Sequence, residues 1–322
     1  MKKTLAMLLP CAALLACALP AAAADTYPAK PVQLVVPFAP GGATDVLTRI
    51  VTQRLAQSAG YNLVVENKPG AGGGIAAAFV ARAQPDGYTL LVGTTNTHGV
   101  NQFLYDKLQY DAQKDFVPVG LIAHNVVVLL AQTGFPASDM TATVAELKAH
   151  PGKYTYASPG QGTVHHLAME MLKEKAGLQV VHAPYRGAGP AMTDLVAGHV
   201  PLMMGGIAPA APFIASGQIK VLGVANSEPF PGLADVQLFG SVAPDLGVRS
   251  WIGLFAPRGT PAEIVQKLNA DFNAVLGQPE LASELADLGL TPQPMTPADF
   301  KQMIEDDLPV WQAAVQASGA KE

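Results

Sequence analysis

The chain has 322 residues, with 20 lysines and arginines against 25 aspartates and glutamates, and a formal net charge of −5. That balance argues against the basic footprint of a nucleic-acid binder, and the length exceeds the roughly 250–300 residues at which one core stops growing, so two lobes are expected. The 31 glycines and 27 prolines mark a folded, loop-rich protein, and the 2 cysteines, Cys11 and Cys17, lie so early that no disulfide framework, thiol nucleophile or cysteine metal site is available to the folded part.

Residues 1–24 read as an export signal. Lys2 and Lys3 form a positive start, Leu5 to Leu19 is an apolar run interrupted by Pro10, and Ala21 to Ala24 offers a small-residue cleavage site before Asp25. The run is too short for a span of about 20 residues, and no later stretch of that length is free of polar and turn residues, so a membrane-embedded chain is not expected. Leu14-Leu15-Ala16-Cys17 also resembles a bacterial lipobox, in which Cys17 would be lipidated and start the mature chain.

From there strand and helix patterns take turns. Val32 to Phe38 is a buried-strand pattern, followed by Ala39-Pro40-Gly41-Gly42 and a helix pattern with apolar positions Val46, Leu47, Ile50, Val51 and Leu55. Asn62 to Glu66 with Gly73 to Ala83, then Tyr88 to Gly93, Tyr154 to Ala157 with Thr163 to Lys175, and Gln179 to Ala183 with Pro190 to Ala197 repeat the unit. Val200 to Met204 and Lys220 to Ala225 add strands. Such alternation predicts an α/β fold of mainly parallel sheets flanked by helices. Helices are predicted over Pro261 to Leu276, Pro279 to Leu288 and Pro297 to about Ala317, each with Pro near its first turn. The apolar stretch Val117 to Ala131, broken by His124-Asn125, reads as a crossing to a second lobe, with Lys220 to Ala225 as the return. Residues 25–122 and 226–322 are assigned to the first lobe, the latter with the C-terminal helices, and 123–225 to the second.

Candidate chemistry sits in loops at helix starts. Phe38-Ala39-Pro40-Gly41-Gly42, leading to Asp45, places glycines and free N–H groups where a carboxylate or phosphate could approach. Ser158-Pro159-Gly160-Gln161-Gly162-Thr163 and Tyr185-Arg186-Gly187 repeat the arrangement, and all three loops fall at the carboxyl ends of strands, where open α/β sheets bind ligands. Other motifs fail. Gly70 to Ile75 lacks the last glycine of a dinucleotide fingerprint, no Walker or G-x-S-x-G pattern occurs, and His166 with Glu170 falls short of the three or four ligands of a zinc site.

Val36 to Asp45, Glu66-Asn67-Lys68-Pro69-Gly70-Ala71-Gly72-Gly73, Pro85-Asp86-Gly87-Tyr88-Thr89-Leu90, Tyr156 to Glu170, His182 to Gly187, Asp194 to Gly198 and Ala256 to Pro261 resemble the extracytoplasmic solute receptors of tripartite tricarboxylate transporters, the Bug or TctC family. The resemblance covers nearly the whole mature chain. It implies a two-lobed, type II-like periplasmic binding protein of the Venus-flytrap kind, without catalysis or cofactor, that captures a di- or tricarboxylate, amino acid or aromatic acid between its lobes. Transporter subunits would be its partners and a monomer its form. A receptor feeding a membrane sensor kinase, or an exported enzyme, are the alternatives.

By that resemblance the first loop grips one carboxylate, while Ser158, Thr163 and the turn from Tyr185 to Gly187 line the opposite wall. With Thr94, Thr95, Gly160, Gly162, His166 and Gly205, these complete the candidate site. Three departures stand out: Thr163 where the family commonly has Ser, Met204-Gly205-Gly206 in place of a more polar segment, and an unfamiliar pattern from Val236 to Ser250.

Overall fold

The computed structural model describes residues 27–320, so the export signal and Cys17 lie outside the described residues. In chain order the elements are β1 (Val32–Val36), α1 (Ala43–Ala59), β2 (Leu63–Asn67), α2 (Gly74–Ala81), β3 (Thr89–Thr94), a π turn over Asn96–Val100, α3 (Asn101–Leu104) and β4 (Phe116–Asn125). Then follow β5 (Val128–Gln132), α4 (Met140–Ala149), β6 (Thr155–Ser158), α5 (Val164–Ala176), β7 (Val181–Pro184), α6 (Ala188–Ala197), β8 (Leu202–Gly205), α7 (Ala211–Ala215) and β9 (Ile219–Val224). The chain ends with β10 (Trp251–Pro257), α8 (Ala262–Leu276), α9 (Pro279–Ala286), β11 (Leu290–Pro292) and α10 (Pro297–Ser318).

Two sheets result, ordered β11-β4-β10-β3-β1-β2 and β7-β6-β8-β5-β9. On one face of the first sheet, Leu47, Val51 and Leu55 of α1 meet Leu268 and Phe272 of α8 over Val32, Leu34 and Leu90. On the other face, Ala76 and Val80 of α2 join Phe300 and Ile304 of α10. The second sheet is enclosed in the same way, by Met140, Leu167 and Leu172 on one face and Ala191 and Leu195 on the other. On α1, α2, α6, α8 and α10 these side chains stand four apart, a helical spacing that fixes which face is buried.

Both sheets are mixed rather than mainly parallel. β1 pairs in parallel with β2 and β3, but β10 runs antiparallel to β3 and β4. In the second sheet β6 is parallel to β7 and β8, whereas β5 is antiparallel to β8 and β9. β5 and β10 each enter from the other lobe without a crossover helix, so nothing forces them to run parallel.

The passage between lobes also differs in detail from the sequence expectation. The apolar stretch from Val117 is two strands, β4 in the first sheet and β5 in the second, with Val126-Val127 between them. The return crossing is at 249–250 and not at 220–225, and three segments meet at the junction: the Val127 carbonyl accepts the Ala225 N–H, the Ala225 carbonyl accepts the Val248 N–H, and the Ser250 carbonyl accepts the Asn125 N–H. The Asn226 amide clasps this junction, accepting the Val127 N–H at 2.8 Å and donating to the Asn125 carbonyl at 3.3 Å. Residues 226–248, grouped with the first lobe by the sequence reading, pack on the second: Phe230, Val236 and Leu238 on one face, Phe239, Leu246 and Val248 on the other. α10 serves both lobes, with Phe300 and Ile304 on the first and Trp311, Ala314 and Val315 on the second. We therefore propose lobe boundaries at 125/128 and 249/250, with Ala225 and Asn226 touching the junction without a change of lobe.

Gly253 lies in the middle of β10, where a β-carbon would overlap the fully buried Phe300 ring. Gly253→Ala should lower unfolding free energy by about 1–3 kcal/mol, the usual range for overpacking, measured by denaturant titration. An unchanged midpoint would show that the ring has room to retreat.

Candidate functional site

The first wall of the interlobe cleft is the loop from β1 into α1. Gly41 has φ +86, a left-handed conformation that favours glycine, and Gly42 caps the helix with extended backbone and no side chain. Asp45 is buried and shapes this loop from behind: its carboxylate accepts the Gly41 N–H at 3.0 Å, Arg49 Nε at 3.0 Å and Asn67 Nδ2 at 3.0 Å. Asn67 also donates to the Phe38 carbonyl at 2.9 Å. Burial alone would raise the Asp45 pKa, but the hydrogen bonds from Arg49, Gly41 and Asn67 hold it below the usual carboxylate range. With these contacts in place Phe38, Ala39, Gly42, Ala43 and Thr44 line the cleft.

The opposite wall is the start of α5, with Pro159, Thr163, Val164 and His165, joined by Gly187 and Ala188 at the start of α6 and by Gly206 and Pro209 after β8. Thr163 is the N-cap; its Oγ1 accepts the His166 N–H at 3.3 Å and donates to the Gly160 carbonyl at 2.8 Å. Asn96 reaches across from the first lobe, donating to the Gly162 carbonyl at 3.0 Å and accepting the Val164 N–H at 3.3 Å. The floor consists of Thr94 at the end of β3 and Thr95 after it, Asn125 at the end of β4, and Ser250, Trp251 and Ile252 where β10 begins. Trp251 is held by its backbone N–H on Thr95 Oγ1 and its indole N–H on Asp307.

Three helix starts, those of α1, α5 and α6, thus face one cleft, each bringing first-turn N–H groups and roughly half a positive charge. The cleft holds about 740 Å³ of empty space, its open mouth included, and among the described residues no Lys, Arg, Asp or Glu lines it. Two buried polar atoms on the floor, Thr94 Oγ1 and Asn125 Oδ1, have no hydrogen-bond partner. A β-carbon on Gly206 would stand 3.4 Å from Asn125 Oδ1, so the small residue lets the backbone pack close against that amide.

Of the residues expected from sequence, Phe38, Ala39, Gly42, Thr94, Thr95, Thr163 and Gly187 are brought together on the lining. Pro40, Gly41 and Asp45 form the loop behind it, and Gly205 is replaced by its neighbour Gly206. Ser158 is fully buried and bonded to His182 Nε2 at 2.7 Å; His166 accepts the Gly162 N–H on Nδ1 and stacks on His182 at 3.9 Å. Burial keeps both rings below the ordinary histidine pKa, His182 down to about 3. Gly160 serves as acceptor for Thr163, while Gly162, at φ +63, lies so close to Leu104 that a β-carbon would collide with it. The Tyr185 hydroxyl donates to Asp194 at 2.6 Å, and Arg186 is exposed outside the lining. Sequence reasoning missed Asn96, Asn125, His165, Gly206, Ser250 and Trp251. The polar break His124-Asn125 in an apolar run was the available signal for Asn125.

Residues 47–320 match the family model described as the tripartite tricarboxylate transporter family receptor. BugT of Bordetella pertussis is 33% identical over 302 residues, 92% of each chain. Among solved structures, MatC from Rhodopseudomonas palustris with bound malate is 38% identical with TM-score 0.82, over 90% of this chain and 100% of its own. An R. palustris protein with adipate is 31% identical with TM-score 0.87, and the periplasmic binding protein BugD 32% with 0.84, each over 92% of this chain and 99% of its own. The chain belongs to the tripartite tricarboxylate transporter receptor family, and its two helix-flanked sheets have that family's solute-binding-protein fold.

Removing the buried Thr94 hydroxyl should act oppositely on stability and on binding. An unpartnered buried hydroxyl costs about 1–3 kcal/mol, whereas a hydrogen bond to a charged group is worth about 1.5–3 kcal/mol. Thr94→Val should leave the ligand-free protein as stable or more stable, and weaken carboxylate binding roughly 10–100-fold by calorimetric titration. Unchanged affinity would remove Thr94 from the site.

Proposed function

We propose that this protein is a periplasmic receptor that captures a small organic carboxylate in the interlobe cleft and delivers it to the membrane subunits of a tripartite tricarboxylate transporter. The observation that carries this is the lining itself: three helix starts and two unpartnered polar groups around a cleft without fixed charge. Such a surface supplies donors to a carboxylate, while the apolar Phe38, Trp251, Ile252, Pro159 and Pro209 suit a short carbon body. A polyphosphate would lack a counter-cation there. The malate and adipate in two related structures support the ligand class.

Binding without turnover fits the same geometry. Catalysis of acyl transfer needs a nucleophile beside a base with access to substrate. In the Ser–His pair near the cleft, Ser158 with His182, the Ser158 side chain is fully buried and lies off the cleft lining. Among the described residues no cluster of three or more His, Cys, Asp or Glu could hold a metal, and no helix is long and apolar enough to cross a membrane.

Screening mono-, di- and tricarboxylates, amino acids and aromatic acids by thermal unfolding, after any trapped ligand is removed by partial unfolding, tests the reading. Ligand at 100 times its dissociation constant adds about 2.7 kcal/mol, which at an unfolding entropy near 2 cal/mol/K per residue is a rise of about 4 °C. The same ligand should reduce the radius of gyration in small-angle scattering as the lobes close. A panel without any shift at millimolar concentration would overturn the function; a shift at constant radius would overturn closure alone.

A further inference from the structure

Among the described residues, His165 is the one titratable side chain on the cleft lining. It is the second residue of α5, half-buried, and no hydrogen bond or ion pair joins its ring to another described residue. The neighbouring rings are engaged, His166 with Gly162 and His182 with Ser158. On α5 the Val164 N–H is taken by Asn96 and the His166 N–H by Thr163, so the backbone N–H of His165 is the first-turn donor left to the cleft beside its own ring.

We propose that His165 is the specificity-determining group of this site: it meets the second carboxylate of a dicarboxylate whose first sits at the α1 start, and gains a proton as it does so. The proposal rests on the carboxylate-capture reading and narrows it to dianions. Charged groups on the surrounding elements are directed elsewhere. Asp45 on α1 is held by Gly41, Arg49 and Asn67; Glu170 on α5 by Tyr156 and Lys173; Asp307 on α10 by Arg249 and Trp251; and Arg186 before α6 is exposed. Burial alone pushes the His165 imidazole down to about 4, with no charged neighbour contributing. In the empty cleft a proton on this ring would also oppose the positive end of α5. An anion in the cleft offsets both effects, so proton and dicarboxylate enter together, each raising the affinity for the other by the same factor. The buried side-chain oxygens of Thr94 and Asn125 on the floor, unpartnered among the described residues, are the second sign that the α5 start faces a ligand and not only solvent.

Calorimetric titration with two length-matched pairs, succinate against butyrate and adipate against hexanoate, tests this on wild type and His165→Gln, a variant that keeps hydrogen bonding but cannot charge. If the anion returns His165 to about 6.5, the value of a free imidazole, wild type should bind the dicarboxylates roughly tenfold tighter at pH 5.5 than at pH 7.5, measured relative to His165→Gln. Referring to the variant removes the ligands' own titration. Sign and window follow from those values: affinity is level above about pH 7.5, rises as pH falls through 6.5, and levels again below about 4. Titrations at pH 6 in buffers of different ionisation enthalpy should show proton uptake by wild type with dicarboxylates only, absent in the variant. The preference for dicarboxylate over its one-carboxylate partner should fall several-fold in His165→Gln, with the melting point of the ligand-free variant unchanged. Dicarboxylate binding without proton uptake, or with the same preference in both proteins, would overturn the role of His165 while leaving carboxylate capture intact. Failure of wild type to bind any of the four acids, or any member of the wider panel, would overturn the capture reading and this inference with it.

Discussion

An anion taken from water must find donors in the protein, and this cleft provides them almost without formal charge. The starts of α1, α5 and α6 converge on it from two lobes, and each leaves first-turn N–H groups that no carbonyl of its own helix can accept. The alternative, a lysine or arginine in the lining, would attract every anion alike, because a point charge is read at a distance. Backbone N–H groups are directional and act over a single hydrogen bond, so they favour a ligand whose carboxylates stand at the right separation. The apolar residues between the donors then fix what joins those carboxylates.

Holding backbone donors in place requires a second layer of buried polar groups, and this layer contains many of the residues that look functional. Asp45 ties Gly41 to Arg49 and Asn67, and so aims the α1 loop without touching the cleft. Behind the α5 loop, Ser158, His182 and His166 form a stacked and hydrogen-bonded column, continued by Tyr156, Glu170 and Lys173. Because burial keeps both imidazoles neutral, the column supports the loop at physiological pH without placing a charge beside the ligand. His165, one residue before His166 and a step around the helix, faces the other way.

The alternating strand and helix periods made the first three strands, the α5 and α6 units and the C-terminal helices legible, and the glycine-rich helix starts identified both walls of the cleft. Of the floor only Thr94 and Thr95 were legible, and the rest was not, for a physical reason. Asn125 and Ser250-Trp251 come together only because Asn125 donates to Ser250 where two crossing segments meet, a contact across 125 residues that leaves no local pattern. Trp251 to Pro257 is buried along its whole length, and such a run has no alternation to mark it as β10. Likewise β4 and β5 read as one apolar stretch because both are buried, and only the break at His124-Asn125 betrays the change of sheet. The two adjacent histidines at the α5 start were visible, but sequence spacing cannot tell which ring faces a loop and which a cleft.

The division of donors between lobes also explains why capture and closure belong together. A ligand shifts a conformational equilibrium only by its difference in affinity for the two states. Here the α1 start lies on one lobe and the α5 and α6 starts on the other, so an open protein offers a ligand one wall and a closed protein offers all of them. Asn96 gives closure a small intrinsic bias by bonding across to Gly162 and Val164, while the two crossing segments, clasped by Asn226 beside them, confine motion to a narrow junction. α10, packed on both lobes, limits the rotation further. A monocarboxylate satisfies one wall and leaves the other's donors to water, gaining little from closure. A dicarboxylate of suitable length engages both, so the energy that selects the ligand is the same energy that closes the lobes.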